Sequence, residues 1–298
     1  MPVSAKKIIF LVGPTAVGKT EIAIALAKNL NAEIISCDSM QVYKGMDIGT
    51  QKPLPDLRKK IKHHMLDILK PDKEFNAADF RSRALRIISS LHKKGKIPLF
   101  VGGTGLYMKA LVDGLFPSPP KDERLRKRLY KEKERYGSRY LHDKLKKIDQ
   151  KAASAIHPND AKKIIRALEI YYTTKKTVSE MRERTPRPLS DKYDVEILGV
   201  IRPRGELYNR INERVDRMFQ EGFLDEAKRF YKKKLSITAA QAIGYREIFD
   251  YLSGKISLDE AMELIKKNTR HYAKRQLTWF KGDKRIKWIE ASKWKKYF

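Results

Sequence analysis

One cysteine, Cys37, occurs in 298 residues. No intrachain disulfide can form, and an all-cysteine zinc site is excluded. Long apolar runs are also missing. No stretch approaches the ~18 apolar residues that cross a bilayer. The apolar run in MPVSAKKIIFLVGPT is too short for a secretory leader and flows into a glycine loop. These absences set the expectation of a cytoplasmic protein in a reducing compartment, with no membrane part. Acid is scarce as well: 36 Asp and Glu face 65 Lys and Arg, a net charge of +29. Such an excess calls for an anionic partner, nucleic acid first and an anionic membrane surface second. What remains is ordinary for a globular chain: 41% hydrophobic residues, and enough length for two domains.

Apolar runs and helical stretches alternate at the start. IIFLV (8–12), AEIIS (32–36) and IPLFV (97–101) read as buried strands. EIAIALAKNL places Ile22, Ala25, Leu26 and Leu30 on one helical face, and residues 78–96 place Leu85, Ile88 and Leu91 on another. Strand, helix, strand, helix, strand implies a parallel sheet with right-handed crossovers. The pattern breaks at DGLFPSPPKDE, where Pro117, Pro119 and Pro120 make a stiff linker. Residues 121–151 then carry 13 Lys and Arg against 6 Asp and Glu, a net of +7, in helical spacing. HPNDAKKIIRALEIYY (157–172) is a further helix with an Asn/Asp start signal. VEILGVI (195–201) returns to strand character, helices follow, and RIKWIE (285–290) reads as a last strand. The expectation is an α/β fold. A parallel-sheet core of the P-loop NTPase or kinase type, residues 1–116 and 194–298, carries extra C-terminal helices. An all-helical domain, 117–193, is inserted into it.

GPTAVGKT (13–20) fits G-x-x-x-x-G-K-[ST] between a strand and a helix. Gly13, Pro14, Thr15, Ala16, Val17, Gly18, Lys19 and Thr20 thus form a candidate phosphate cradle. Its backbone N–H groups and the helix N-terminus favour an anion. Lys19 adds a point charge, and Thr20 is placed to reach a magnesium ion. The usual second magnesium acid is absent: the third strand ends LFVGGTGLY. The second strand ends SCDSMQ, which puts Asp38 at the carboxyl end of a parallel strand, where ligands collect. Asp38 can be a magnesium ligand, a general base or a turn cap. Gln41 suits the edge of a base, adenine above all. Tyr43 can stack or pack. Thr104 offers a hydroxyl after two glycines, or caps the next helix. His63, His64 and Asp67 show no third metal ligand and read as structural. TRHYAKRQLTWF mixes cations with aromatics, and its Arg270, Lys274 and Thr278 share a face suited to RNA. Three functions compete on these features alone: group transfer to RNA, a metabolite or nucleotide kinase, and an RNA-binding NTPase switch.

The blocks GPTAVGKT, DSMQVYKGMDIGTQKP, HHMLDI, VGGTGLYMKAL, HPND with RALE, QAIGYRE and AKRQLTWF resemble, in this order, those of bacterial tRNA dimethylallyltransferases. The resemblance runs from about residue 8 to 282. It implies transfer of a dimethylallyl group from dimethylallyl diphosphate to the N6 amine of the adenosine just 3′ of the anticodon. The implied acceptors are tRNAs that read codons beginning with U. It implies that the cradle holds the diphosphate leaving group, with Mg2+ as cofactor, and that a monomer suffices. The same resemblance implies that Asp38 would be the general base and that Thr104 would lie by the amine and the bridging oxygen. By it, Asp38, Ser39, Met40, Gln41 and Thr104 would meet the flipped adenine. Arg126 and the stretch Lys162, Lys163, Ile164, Ile165 and Arg166 would contact tRNA from the inserted domain, and Arg210 and Arg214 would reach the diphosphate.

Overall fold

The computed structural model describes residues 6–116, 119–183, 185 and 188–297. Two compact units emerge: Met1–Val112 with Pro188–Phe298, and Asp113–Arg187. The helical unit therefore begins and ends a few residues earlier than the expected 117–193. Leu189 explains the later boundary, because its side chain is buried in the core of the sheet unit. Pro117 and Ser118 of the linker, and Pro186 and Arg187 beyond the helices, lie outside the described residues.

The first half of the sheet unit runs β1 (Lys7–Val12), α1 (Lys19–Asn29), β2 (Ala32–Ser36), α2 (Pro55–Lys60), β3 (His63–His64), α3 (Ala77–Lys93), β4 (Ile97–Gly102) and α4 (Gly105–Val112). The helical unit holds α5 (Glu123–Ile148), α6 (Gln150–Ala155), α7 (Ala161–Thr174) and α8 (Val178–Glu183). The chain then returns with β5 (Asp194–Ile201), α9 (Arg204–Gln220), α10 (Phe223–Lys228), α11 (Ile237–Ala240), α12 (Tyr245–Leu252), α13 (Leu258–Lys281) and β6 (Lys287–Glu290). The strands lie in the order β3-β2-β4-β1-β5-β6, and every ladder is parallel. Both faces of the sheet are covered, as parallel sheets require. Ile8, Phe10 and Val12 enter one core while Ile9 and Leu11 enter the other. This is the two-residue alternation of a strand. Phe10 stacks on Phe100 at 4.7 Å between ring centroids, which locks β1 to β4 on the first face. α1 and α9 supply apolar residues such as Leu26 and Ile211 to the second.

The two-residue β3 escaped the sequence reading, because it is too short to show a period. Its residues are structural. His64 Nε2 lies 2.6 Å from the Glu33 carboxylate, and His63 Nδ1 lies 2.7 Å from the Ile61 carbonyl.

The helical unit has its own core, built from Leu129, Leu141, Leu145, Ile164, Ile165 and Leu168 among others. Gly137, at φ +84°, breaks α5 into two helical pieces. Glu169 is fully buried there. It accepts hydrogen bonds from Arg126 Nε and Nη2, Arg166 Nη1 and the Asp122 backbone N–H.

The loop between β2 and α2 carries most of DSMQVYKGMDIGTQKP and has little regular structure. Two buried charges pin it. Glu226 on α10 accepts from the backbone N–H groups of Asp47, Ile48 and Gly49 and from the Tyr245 hydroxyl. Lys52 donates to the Asp47 and Asp67 carboxylates, each at 2.6 Å. A buried carboxylate with four donors is stable only as a complete set. Glu226→Gln should therefore lower stability by about 3 kcal/mol, read as a lower urea midpoint with an unchanged slope. An unchanged midpoint would show that the loop is held by other means.

Candidate active site

The carboxyl ends of β1, β2 and β4 open on one cavity of about 460 Å³. Thr15, Lys19, Thr20, Ser36, Asp38, Gln41, Gly102, Gly103, Arg210, Arg214, Arg217, Tyr272 and Gln276 all line it. All belong to the sheet unit.

One wall is the glycine loop. Lys19 Nζ donates to the carbonyls of Gly13 and Pro14, at 2.9 and 2.7 Å, so the ammonium curls over its own loop. From α9, Arg214 Nη1 donates to Thr15 Oγ1 at 3.1 Å and Arg210 Nε to the Ala16 carbonyl at 3.0 Å. Arg202, just beyond β5, donates from Nε to the Val17 carbonyl at 2.8 Å and pairs with Glu206. Gly13, Pro14, Val17 and Gly18 supply the backbone of the turn, and Gly18 precedes the first residue of α1 at φ +104°. Burial pushes the Lys19 ammonium down to about 7, and the neighbouring Arg214 acts in the same direction against the opposing pull of Asp38. Burial also brings Arg214 down to about 10, with Asp38 opposing and Arg210 and Arg217 adding to the fall. The site carries more positive charge than its own acids balance.

Asp38 lines the cavity, and Thr104 stands behind it, next to the lining residue Gly103. Asp38 Oδ1 accepts from the backbone N–H of Met40 at 2.8 Å and of Gln41 at 3.4 Å. The carboxylate thus shapes its own turn, and its second oxygen makes no hydrogen bond among the described residues. Thr104 Oγ1 accepts from the Ser39 N–H at 3.1 Å, and the Thr104 N–H donates to the Cys37 carbonyl at 3.2 Å. The Thr104 carbonyl starts α4, so the residue stands at the helix N-cap while its hydroxyl reaches across to Ser39. These two loops meet because Gly102 allows it. A side chain there would place its first carbon 2.1 Å from the Cys37 carbonyl oxygen. Cys37 is buried against this crossing, which pushes its thiol up.

Several residues expected at the site have different tasks. The Gln41 amide is committed to its own loop. Its Nε2 donates to the Thr50 and Gln51 carbonyls, and its Oε1 accepts from Ser36 Oγ. It orders the cavity wall rather than offering a free edge to a base. Ser39 and Met40 flank Asp38 and are partly exposed. Tyr43 is fully buried and bonded to Ser236, so it packs and does not stack on a ligand. On the helical unit, Ile164 and Ile165 are core residues at 0% and 2% exposure. Their side chains cannot touch RNA, which corrects the expectation for both. Arg126 and Arg166 are paired with Glu169, whereas Lys162 and Lys163 are exposed at the start of α7. Arg270 bonds Asn212, while Lys274 and Thr278 face solvent.

Among the cavity residues that the sequence did not mark are Arg217, Tyr272 and Gln276. Arg217 lies one turn beyond Arg214 on α9, a spacing that could have marked it. Tyr272 on α13 lines the cavity, and burial pushes its phenol up. Gln276 is buried, accepts from the Thr15 N–H and donates to the Gly103 carbonyl, both at 2.9 Å. A lone Gln at a core position of a helix was its only signal.

The described residues hold no group of three or more His, Cys, Asp and Glu that could grip a metal. The Thr20 hydroxyl, exposed at the head of α1, has no protein partner among them. One free oxygen beside an anion cradle suits a hard cation that keeps most of its water and binds chiefly through a substrate's phosphates. No helix among the described residues is long and apolar enough to cross a membrane.

Comparison with known proteins places this geometry. The family model described as IPP transferase matches residues 41–283. A tRNA dimethylallyltransferase of Geobacter sulfurreducens is 48% identical over 289 residues, covering 96% of this chain and 93% of that protein. The counterpart from Halothermothrix orenii is 46% identical over 288 residues, covering 96% and 88%. Among solved structures, the full-length tRNA isopentenylpyrophosphate transferase of Bacillus halodurans superposes with a TM-score of 0.71 at 44% identity, covering 96% and 90%. A eukaryotic dimethylallyltransferase acting on tRNA gives 0.80 at 32% identity, covering 96% of this chain and 74% of that one. With a glycine-loop cavity of this build and such identity over nearly its full length, the chain belongs to the IPP transferase family.

Proposed function

We propose that this protein transfers a dimethylallyl group from dimethylallyl diphosphate to the N6 amine of the adenosine just 3′ of the anticodon, in tRNAs reading codons that begin with U. The observation that carries the reading is one cavity with cationic groups on one wall and a half-free carboxylate on the other. The donor's diphosphate lies on Lys19, Arg210, Arg214 and the N-terminus of α1. The target base leaves its stack and enters from the side of Asp38 and Thr104, at a cost of a few kcal/mol.

The chemistry follows from the groups. An aromatic amine is a weak nucleophile and a very weak acid, so Asp38 does not deprotonate it beforehand. The carboxylate accepts the proton as the carbon–nitrogen bond forms and the carbon–oxygen bond breaks. Negative charge grows on the departing diphosphate, and Lys19, Arg214 and the loop N–H groups oppose it in place. Holding the allylic carbon against the amine supplies as much as ~7–11 kcal/mol of the barrier. Thr104, anchored by Ser39, keeps a hydroxyl beside the reacting atoms. Mg2+ bound to Thr20 and the diphosphate oxygens would add charge neutralisation at the leaving group. Lys162, Lys163 and the basic face of α5 contact the tRNA backbone.

Three outcomes test the reading. Asp38→Ala should lower turnover by ~10²–10⁴-fold while leaving tRNA affinity nearly unchanged, measured by single-turnover transfer and by filter binding. Equal loss in both would make Asp38 a binding residue. In the free protein Lys19 titrates near 7 rather than at its ordinary 10.5. A bound diphosphate favours the charged amine and draws the value back up. Binding at pH 8 should therefore take up about one proton, seen by calorimetry in buffers of different ionisation enthalpy. Affinity should weaken as pH rises above 7, and Lys19→Met should abolish the uptake. Absence of uptake in the natural protein contradicts the assignment. Finally, tRNA binding should fall steeply with salt, by about 0.7–0.9 in log–log slope for each phosphate neutralised. A flat dependence would remove the basic helices from the interface.

A further inference from the structure

Gln276 sits on the core-facing side of α13, in line with Ala273 and Phe280. A buried amide at such a place must find partners or cost stability. It finds two, in the loops that follow the neighbouring strands β1 and β4, just beyond the last ladder pair, Val12 and Gly102. Oε1 accepts from the Thr15 N–H in the glycine loop, and Nε2 donates to the Gly103 carbonyl after β4. The contacts continue through Thr15 itself on one side and through the next residue, Thr104, on the other. Thr15 Oγ1 receives Arg214, and Thr104 Oγ1 receives the Ser39 N–H next to Asp38. Gly103 has to be glycine for this bridge, since a side chain there would bring its first carbon within 2.0 Å of Gln276 Nε2. Tyr272, one turn earlier on α13, lines the same cavity. Because its N–H is spent on Gln276, Thr15 offers its side chain rather than its amide to the cavity.

We propose that Gln276 is a positioning residue for the transfer: its amide fixes the spacing between the diphosphate cradle and the Asp38–Thr104 wall. The inference rests on the prenyl-transfer reading above. Gln276 touches neither reacting atom. It acts by holding two loops that are far apart in sequence in one register, so that donor carbon and acceptor amine meet. A misplacement of about 1 Å between such groups costs roughly 100-fold in rate.

The test uses the full chain, dimethylallyl diphosphate and tRNA. Transfer by the natural protein tests the function itself; the variants test only Gln276. Gln276→Met keeps volume and loses both hydrogen bonds. Its kcat should fall on the order of 100-fold, with the KM for each substrate within about threefold of the natural value. Gln276→Glu keeps the acceptor, but its carboxylate opposes the Gly103 carbonyl. Once protonated, it regains a donor and reproduces the amide. The ratio of its kcat to that of the natural protein should therefore climb as pH is lowered from 8 to 5.5, while the same ratio for Gln276→Met stays level. A methionine variant that folds and turns over within twofold of the natural protein overturns the proposal. So does a glutamate variant whose ratio does not change with pH, and that arm decides the matter if the methionine variant does not fold.

Discussion

Lys19, Arg210, Arg214 and Arg217 gather at one end of a parallel sheet, around a single cavity. Cations so placed repel one another, and the burial of Lys19 and Arg214 strips away the water that would screen them. The fold tolerates the arrangement because Gly13, Pro14, Thr15 and Ala16 turn oxygens toward these cations. An anion entering the cavity would relieve the repulsion. The remaining features of the site are consequences of this one constraint. In the proposed reaction the second wall would bring the acceptor close without neutralising the cations itself. Asp38 suits that need, because one of its oxygens is tied to the turn at Met40.

Rigidity in the second wall comes from buried charges, one of which, Lys52, itself lines the cavity. Glu226 and Lys52 hold the loop after β2 from beneath, and the Gln41 amide ties its two ends together. The stretch SCDSMQVYKGMDIGT, with few cations of its own, thus spends its polar groups on holding one shape. Its acid is presented at the cavity, its amide fastens the loop, and its aromatic residue, Tyr43, fills the core. The Gln276 amide joins the glycine loop to the loop after β4.

Much of this was legible in the residues. β1, β2, β4 and β5 announce themselves as β-branched apolar runs between turn formers, and the glycine loop sits between a strand and a helix, where its chemistry requires it. Asp38 and Thr104 stood out because each follows a strand at its carboxyl end. Other parts were hidden for physical reasons. β3 has two residues and no period. Glu169, Glu226 and Gln276 are polar residues on apolar helix faces, and a sequence does not tell which buried polar group has found partners. Ile164 and Ile165 show the reverse. The spacing Ile164, Ile165, Leu168 marks a core face, and the structure buries all three there.

The central claim is that a diphosphate-bound donor and a tRNA adenine meet in this one cavity. Its most direct test is mass spectrometry of anticodon-loop fragments after bulk tRNA is incubated with the protein, dimethylallyl diphosphate and magnesium. The account predicts a gain of one C5H8 unit, confined to the adenosine just 3′ of the anticodon. No gain there, or the same gain at other adenosines without preference, would contradict it.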